Sequence, residues 1–393
     1  MSSDPVVIVA AKRTPIGAFQ GVLSGATAPE LGAAAIAAAI AETGIEAADI
    51  DQVLMGCVLP AGLGQAPARQ AALAAGIPEG TPCTTVNKMC GSGMMTIMLG
   101  HDLIRAGSAA VVVAGGLESM SNAPYLLPKA RGGYRMGHQQ VLDHMFFDGL
   151  QDPFEGEMMG HFAENTADKY AFTREAQDAF AIESATRAKR AVADGTFSAE
   201  IAAVTIKSRK GEHTVEEDET PGTVSIEKIP SLRAAFRKDG TVTAASSSSI
   251  SDGASALLLM TAAEAKTRGF APLATIIGHS SFAQEPAWFT TSPVFAIKML
   301  HEKLGWDTGN VDLYEVNEAF AVVTMAAMQD VGIDHDKINV NGGACALGHP
   351  IGASGARITT TLIHALRARN LQRGVASLCI GGGEAVAIGI EIN

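Results

Sequence analysis

The sequence predicts an α/β protein whose chain consists of two similar halves. Short apolar runs alternate with alanine-rich helical stretches, as in Val6 to Val9 followed by Glu30 to Glu42. The same order of elements returns after Ala274, with apolar runs at Val311 to Val316 and Val375 to Ile380. Such alternation is typical of a sheet that is covered by helices on both faces.

A divergent internal repeat supports the division of the chain into two halves. Each half contains a Val-Asn pair, a Ser-Gly pair, a helix, a strand and a Gly-Gly pair, in this order. In the first half, the strand is predicted from Ala109 to Ala114 and ends at Gly115-Gly116. The distance from Val-Asn to Ser-Gly is 6 positions in the first half and 14 in the second, and the longer segment includes His349. The repeat predicts two like units related by a pseudo-twofold axis.

Residues 121–249 interrupt this pattern and are predicted to form an inserted domain or a long loop system. The charged stretch from Arg174 to Arg190 keeps the apolar periodicity of a folded helix, which a linker would lack. Large insertions of this kind usually cover a functional site. The predicted divisions are residues 1–120 with 250–270, the insertion 121–249, and the second half 271–393.

Composition and charge exclude several classes of protein. The 393 residues are more than one ordinary core requires. A net charge of −12 argues against nucleic acid as a partner, and no apolar run is long enough for a membrane span. Five scattered cysteines favour free thiols in a reducing compartment. The N-terminal segment does not resemble a secretory signal and the C-terminal residues carry no peroxisomal signal, so we expect the cytoplasm.

Cys90 is the first candidate for chemistry. It lies in VNKMCGSGM, directly before two glycines and an apolar helix. A helix start places positive dipole charge and unpaired amides beside the thiol, so we expect a lowered pKa and an exposed sulfur. The same amides can bind an oxyanion that forms when the thiolate attacks a carbonyl. The alternative is a small buried residue before a tightly packed helix.

His349 is the candidate base. It lies in NGGACALGHPIGASGAR, where Pro350 and several glycines predict a shaped loop. A neutral imidazole there can accept the proton of a thiol from the other half. The alternative is a surface or capping histidine.

Cys379 and Asn317 both follow predicted strands of the second half. The repeat places Cys379 where the first half has Val113, at a strand end that faces the crevice between the halves. A thiol there can remove a proton from carbon or protonate a leaving thiolate, whereas a packed strand residue is the alternative. Asn317, in YEVNEAFA, can orient a water or donate to an enolate oxygen, and a helix cap is its alternative.

Four strings together resemble the thiolase family: NxxCGSG, NEAFA, GHPIGASGAR and CIGGG, in this order and spacing. The resemblance covers nearly the whole chain, from Val7 to Gly383. It implies two βαβαβαββ halves in a five-layer α/β/α/β/α body, with a loop domain inserted in the first half. It also implies transfer of acyl groups between coenzyme A thioesters.

The resemblance implies a role for each matching residue. Cys90 is expected to be the acylated nucleophile, His349 the base that activates it, and Cys379 the acid/base that takes the α-proton of the second substrate. Asn317 is expected to hold a water that, with His349, stabilises the thioester or enolate oxygen. The backbone amides of Cys90 and Gly381 are expected to form a second oxyanion hole.

Substrate contacts also follow from the resemblance. Ser248 matches the serine that contacts pantetheine, and further expected contacts with the acyl chain and pantetheine are Leu150, Met159, Phe236, Phe289, Ala319 and Phe320. The chain departs from the family at Met158, where a histidine is common, and at Phe289, where a methionine is common. For the nucleotide phosphates the candidates are Lys207, Arg209 and Lys210, although a charged surface loop is the alternative.

The expected reaction is the reversible condensation of two acetyl-CoA molecules to acetoacetyl-CoA and CoA through acetyl-Cys90. CoA thioesters are the substrates, and no other cofactor and no metal site is predicted. A homotetramer built from tight dimers is expected from the resemblance. The alternatives are a longer-chain 3-ketoacyl-CoA thiolase of β-oxidation, a β-ketoacyl-carrier synthase, and a non-catalytic acyl-CoA-binding protein. A synthase would pair its cysteine with two histidines, and a binding protein would lack one of the four catalytic residues.

Overall fold

Strands from both halves of the chain join one hydrogen-bonded path in the computed structural model, which describes residues 4–208 and 211–392. The strands are β1 Val6–Arg13, β2 Gly17–Ala18, β3 Gln52–Gly56, β4 Cys83–Val86, β5 Val111–Ser119, β6 Tyr125–Leu126, β7 Leu142–Asp143, β8 Val204–Ser208, β9 Gly211–Val215, β10 Ser251–Thr261, β11 Ala274–Ala283, β12 Leu313–Val316, β13 Arg373–Ile380 and β14 Glu384–Glu391.

The α-helices follow the predicted periodicity closely. They are α1 Ala28–Thr43, α2 Pro67–Ala74, α3 Ser92–Ala106, α4 Met159–Tyr170, α5 Arg174–Ala193, α6 Glu219–Thr223, α7 Ala262–Arg268, α8 Ser292–Leu304, α9 Ala321–Ala327, α10 Ala344–Leu347 and α11 Ser354–Ala368. Helix α1 begins at a capping box of Thr27 and Glu30 and ends at Gly44 in the left-handed conformation. Within residues 4–208 and 211–392, no helix has the length and apolar character that crossing a membrane requires.

The order of strands is β12-β13-β14-β11-β1-β10-β5-β3-β4, with β2 paired to β10. Strands β11 to β14 come from the second half and the others from the first. The two halves meet where β1 pairs with β11 over only two residue pairs, Val7 with Thr275 and Ile8 with Ala274. Strand β10, which follows the insertion, returns to the first half between β1 and β5.

Alternate residues of β5 show how the layers stack. Val113 packs in the cluster that contains α1 and α2, whereas Val112 packs in the cluster that contains α3 and α11. Helices α3 and α11 therefore form a central layer that both halves of the sheet cover. On the far side, α8 and α9 pack against Val375 of β13. These are the five α/β/α/β/α layers that the resemblance implies, so the predicted fold class is confirmed; the predicted domain boundaries stay a prediction.

The prediction that the first-half strand ends at Gly115-Gly116 was wrong, because β5 continues to Ser119. Both glycines pair with β10. A Cβ atom on Gly115 would lie 2.1 Å from the carbonyl oxygen of Ser255, and one on Gly116 would lie 2.1 Å from that of Gly352. These glycines therefore permit close backbone packing inside a strand rather than ending it.

The insertion contains α4, α5 and α6 and the two small hairpins β6–β7 and β8–β9. A buried ion-pair cluster attaches it to the body. Arg13, at the end of β1, donates to Glu200 at 2.5 Å and to both carboxylate oxygens of Asp218 at 2.7 and 2.9 Å. Because the guanidinium is fully buried, it needs all of these partners to offset its desolvation.

The starts of α3 and α11 lie in direct backbone contact. A Cβ atom on Gly93 would lie 2.8 Å from the backbone nitrogen of Ala356, and one on Gly355 would lie 2.4 Å from that of Met94. Only glycine allows two helices to approach so closely. The contact brings the loop before α3, which carries Cys90, next to the loop before α11, which carries His349.

Candidate active site

One cleft is lined by side chains from both halves and from the insertion. Its walls include Cys90, His349, Cys379 and Gly381, and it encloses roughly 840 Å³ up to its open mouth, a volume ordinary for a small-molecule site. All seven predicted substrate contacts also line it: Leu150, Met159, Phe236, Ser248, Phe289, Ala319 and Phe320. Of the predicted catalytic residues, Asn317 is the one outside this lining.

The Cys90 loop is held in an unusual backbone conformation. Met89 has a φ of 47°, in the left-handed region, and α3 begins only at Ser92. The Ser92 hydroxyl accepts from the Lys88 backbone N–H at 2.8 Å and donates to the Met89 carbonyl at 2.6 Å. Lys88 also forms an ion pair with Glu384 of the second half. These contacts fix the thiol at the seam between the halves.

The expectation of a lowered pKa for Cys90 was wrong. Burial raises the pKa of the thiol to about 11. The backbone N–H groups of Gly381 and of Cys90 itself point at the sulfur and favour its charged form, but they do not offset the burial. The resting group is therefore a neutral thiol, which needs a base when it attacks.

His349 is buried beside this thiol, with 5% of its surface exposed, so it is not a surface or capping histidine. Its Nδ1 atom lies 2.5 Å from the Ser354 hydroxyl, which itself donates to the carbonyl of Pro350 at 2.9 Å. A hydroxyl has one hydrogen, so when Ser354 donates it to the Pro350 carbonyl, its oxygen accepts from Nδ1–H. This bond assigns the proton to Nδ1 and leaves Nε2 with its lone pair.

The electrostatic environment keeps the imidazole neutral. Burial, followed by the nearby charge of Arg357, lowers the pKa of His349 to about 3. The ring is therefore uncharged throughout the physiological range. Its Nε2 atom is buried and has no hydrogen-bond partner among the described residues. This free acceptor is what a general base for Cys90 requires.

Cys379 lies near the end of β13 and is fully buried in the cleft wall. Burial, and then the proximity of Cys90, raises the pKa of its thiol well above the usual value. The predicted correspondence with Val113 was wrong, because Val113 is the third residue of β5 and Cys379 the seventh of β13. When the first residues of β5 and β13 are aligned with each other, Leu117 corresponds to Cys379. The thiol is thus particular to the second half.

Asn317 follows β12 and has 1% of its surface exposed. The helix-cap alternative was wrong, since α9 begins at Ala321 with Phe320 as its N-cap. Both polar atoms of the Asn317 side chain are buried without a partner among the described residues. An amide in this situation is unusual and marks a site for a water or a ligand atom.

Aromatic rings and thioethers form the rest of the cleft. Phe236 packs edge-on against Phe320 with ring centroids 5.8 Å apart. Phe236 also lies directly over Gly160, where a Cβ atom would be 2.3 Å from the ring. Phe289 is almost fully buried and contacts Phe162. The walls are therefore mainly apolar, as the binding of an acyl chain and pantetheine requires.

Several functional positions were not found from the sequence. Further residues that line the cleft are Met89, Phe146, Ser247, Ile250 and Ile351. Ser354 lies five residues after His349 in the same motif, and that adjacency could have identified it. Phe146 and Ile250 carry no local signal, because only the folded insertion brings them to the cleft.

Glu118 is a second buried group that the sequence did not reveal. Its carboxylate accepts backbone N–H bonds from Val58, Leu59 and Gly352 at 2.9 to 3.1 Å. Gly352 belongs to the loop that carries His349, so Glu118 ties that loop to the first half. Burial raises the pKa of Glu118 to about 7, although the three amides favour its ionised form.

Of the candidates for binding the nucleotide phosphates, Lys207 lies within the described residues. Lys207 is exposed and pairs with Glu212 across the β8–β9 hairpin at 3.5 Å. It is not part of the cleft lining, and Arg209 and Lys210 lie outside the described residues. For Lys207, the surface-loop alternative fits the structure better.

Comparison with known proteins identifies the family of the chain. Residues 6–263 match the family described as Thiolase, N-terminal domain, and residues 270–392 match Thiolase, C-terminal domain. The chain therefore belongs to the thiolase family.

Similar proteins align along the full length. The chain is 50% identical to an acetyl-CoA acetyltransferase of Pseudomonas aeruginosa over 98% of both chains, and 47% identical to one of Schizosaccharomyces pombe over 100% of both. Its structure superposes on the Bacillus anthracis acetyl-CoA acetyltransferase with a TM-score of 0.97, at 42% identity, covering 99% of both chains. Its superposition on the Ascaris suum Acat5 thiolase in complex with coenzyme A has a TM-score of 0.93, at 42% identity, covering 99% of this chain and 100% of that one.

The Ser354 bond leads to a first prediction. Ser354→Ala removes the acceptor of Nδ1–H, so part of the His349 population should shift its proton to Nε2. A neutral hydrogen bond contributes about 1 kcal/mol, so kcat for acyl transfer should fall roughly fivefold with little change in KM. The ¹⁵N shifts of the imidazole, assigned by comparison with His349→Asn, report the tautomer directly. In the wild type they should show neutral Nδ1–H from pH 8 down to about pH 5, because the pKa is about 3.

The control is Thr359→Val, which removes another buried hydroxyl of α11, one that donates to the Gly355 carbonyl. This variant should lose stability without a change in the His349 shifts. If Ser354→Ala leaves both the ¹⁵N shifts and kcat unchanged, Ser354 does not position the base.

Proposed function

We propose that the chain catalyses the reversible condensation of two acetyl-CoA molecules to acetoacetyl-CoA and CoA. The observation that carries the proposal is the single cleft in which Cys90, His349 and Cys379 line the same space. The proteins of Pseudomonas aeruginosa and Schizosaccharomyces pombe, named acetyl-CoA acetyltransferase, support it through their full-length similarity.

The first half-reaction transfers acetyl to the enzyme. The Cys90 sulfur attacks the thioester carbonyl while its proton passes to Nε2 of His349. The carbon–sulfur bond to CoA then breaks, and the leaving thiolate takes the proton of Cys379. The products are acetyl-Cys90, a protonated His349, a Cys379 thiolate and free CoA. The raised pKa of both thiols means that each gives up its proton only as the reaction proceeds.

The second half-reaction forms the carbon–carbon bond. The Cys379 thiolate removes the α-proton of a second acetyl-CoA, and the resulting carbanion attacks the carbonyl of acetyl-Cys90. The Cys90 sulfur leaves and recovers its proton from His349. All three groups return to their starting states, and cleavage of acetoacetyl-CoA is the same sequence reversed.

Two sets of donors stabilise the oxygen atoms that become negative. The backbone N–H groups of Cys90 and Gly381, which point at the sulfur in the resting enzyme, bind the oxyanion on acetyl-Cys90. The unpartnered amide of Asn317 holds a water that, with His349, stabilises the enolate. Each donor of this type contributes roughly 2.7–4 kcal/mol to transition-state stabilisation.

Chain length is tested by CoA-dependent cleavage. We expect higher kcat/KM on acetoacetyl-CoA than on 3-ketoacyl-CoA with a chain of about eight carbons or more. The apolar side chains of Met158 and Phe289 in the cleft favour the alternative, a longer-chain 3-ketoacyl-CoA thiolase. A preference for the longer substrates would establish that alternative and reject the short-chain assignment.

Trapping with radiolabelled acetyl-CoA distinguishes the roles of Cys90 and Cys379. Cys90→Ala should abolish both labelling and turnover. Cys379→Ala should still accept label on Cys90, whereas condensation should fall by about 10²-fold or more because general acid–base catalysis is lost. Label recovered on Cys379 of the wild type would reverse the two roles. Cys83→Ala, which changes a thiol outside the cleft, serves as the matched control.

We propose a homotetramer built from tight dimers. Two surfaces support self-association: β4 is an edge strand that pairs only with β3 in the described sheet, and the insertion exposes large apolar side chains. Met136, Phe154 and Tyr125 are 92%, 70% and 68% exposed. Light scattering should give the mass of four chains, and the mass of one chain would contradict the proposal.

The proposed location is the cytoplasm. The structure has five free cysteines, at least three of them buried, and this supports a reducing compartment. Cell fractionation checks the location.

A further inference from the structure

A cluster of metal-ligating side chains lies away from the cleft, across the junction between the two halves. It consists of His101 and Asp102 of α3 and His279 of β11. Among the described residues, these three form one group whose ligand atoms all lie within 4.8 Å of one another. The mechanism uses none of them.

The three side chains already converge on one point. Nδ1 of His101 lies 2.9 Å from a carboxylate oxygen of Asp102, and Nε2 of His279 lies 3.1 Å from the same oxygen. The two imidazole rings meet edge-on with centroids 5.2 Å apart. Ligands about 2.0–2.2 Å from a tetrahedral ion are themselves roughly 3.4 Å apart, so only small rotations would be needed to surround an ion.

The surroundings suit a coordinated ion better than a free surface cluster. Both imidazoles are 16% exposed and are therefore held in place, whereas Asp102 is 57% exposed and leaves a path from solvent. Of the neighbouring cations, Arg105 donates to the Asp4 carbonyl and Lys303 to the His279 carbonyl.

We propose that His101, Asp102 and His279 bind a divalent first-row transition ion such as Zn²⁺, with water in the fourth position. Two imidazoles and one carboxylate form a ligand set that zinc uses in proteins. Since His101 and Asp102 belong to the first half and His279 to the second, the ion links the halves. It does so where β1 and β11 share only two residue pairs. The bound ion therefore fixes α3, the helix that follows Cys90, relative to the second half.

The test is a titration of the metal-free full-length protein with Co²⁺ and Zn²⁺. The wild type should bind one equivalent more than the double variant His101→Gln/His279→Gln. Bound Co²⁺ should show the absorption of a nitrogen- and oxygen-ligated tetrahedral site, without a thiolate charge-transfer band. Zn²⁺ should raise the melting temperature of the wild type more than that of the double variant, because binding to the folded state alone stabilises it.

Two single variants complete the experiment. Asp102→Asn keeps the shape of the side chain and should weaken Zn²⁺ binding about tenfold or more. His213→Gln, which changes an exposed histidine of β9 outside the cluster, should bind as the wild type does. Equal stoichiometry and affinity in the wild type and the double variant would overturn the proposal, as would a thiolate band from the additional equivalent.

Discussion

The close approach of the α3 and α11 starts is the constraint on which the rest of this structure depends. Gly93 and Gly355 allow the two helices to touch through their backbones, at distances that any side chain would prevent. Gly116 makes equally close contact with the Gly352 carbonyl, so the loop before α11 lies directly on a strand of the first half. Two loops from different halves are thereby placed side by side. The cleft exists because the glycines remove the atoms that would separate them.

Burial then determines the chemistry of these loops. Removing the groups from water disfavours their charged forms, so the two thiols and the imidazole are all neutral at rest. The amides around Cys90 do not offset its burial, so they do not create a stored thiolate.

Buried polar groups fix the positions of the segments that form the cleft. Ser354 orients His349, and Glu118 anchors the same loop through the Gly352 amide. Arg13 attaches the insertion, which supplies much of the apolar wall of the cleft. The Glu118 and Arg13 contacts join segments that are distant in sequence, and each is satisfied inside the protein. Such networks favour one arrangement of the loops over others, because a displaced partner would leave a buried group unpaired.

The sequence alone determined the α/β class, the two halves, and the motifs that carry Cys90, His349 and Cys379, because these depend on periodicity and on patterns that are local in the chain. It did not determine the pKa of Cys90, since burial by the second half outweighs the local effect of the helix start. It did not reveal that β5 runs through Gly115 and Gly116, because the reason for those glycines is a backbone that arrives from elsewhere. The roles of Ser354 and Glu118 and the grouping of His101 with His279 also required the tertiary structure. Proton positions and ligand clusters are set by distances between remote segments, and only folding decides those distances.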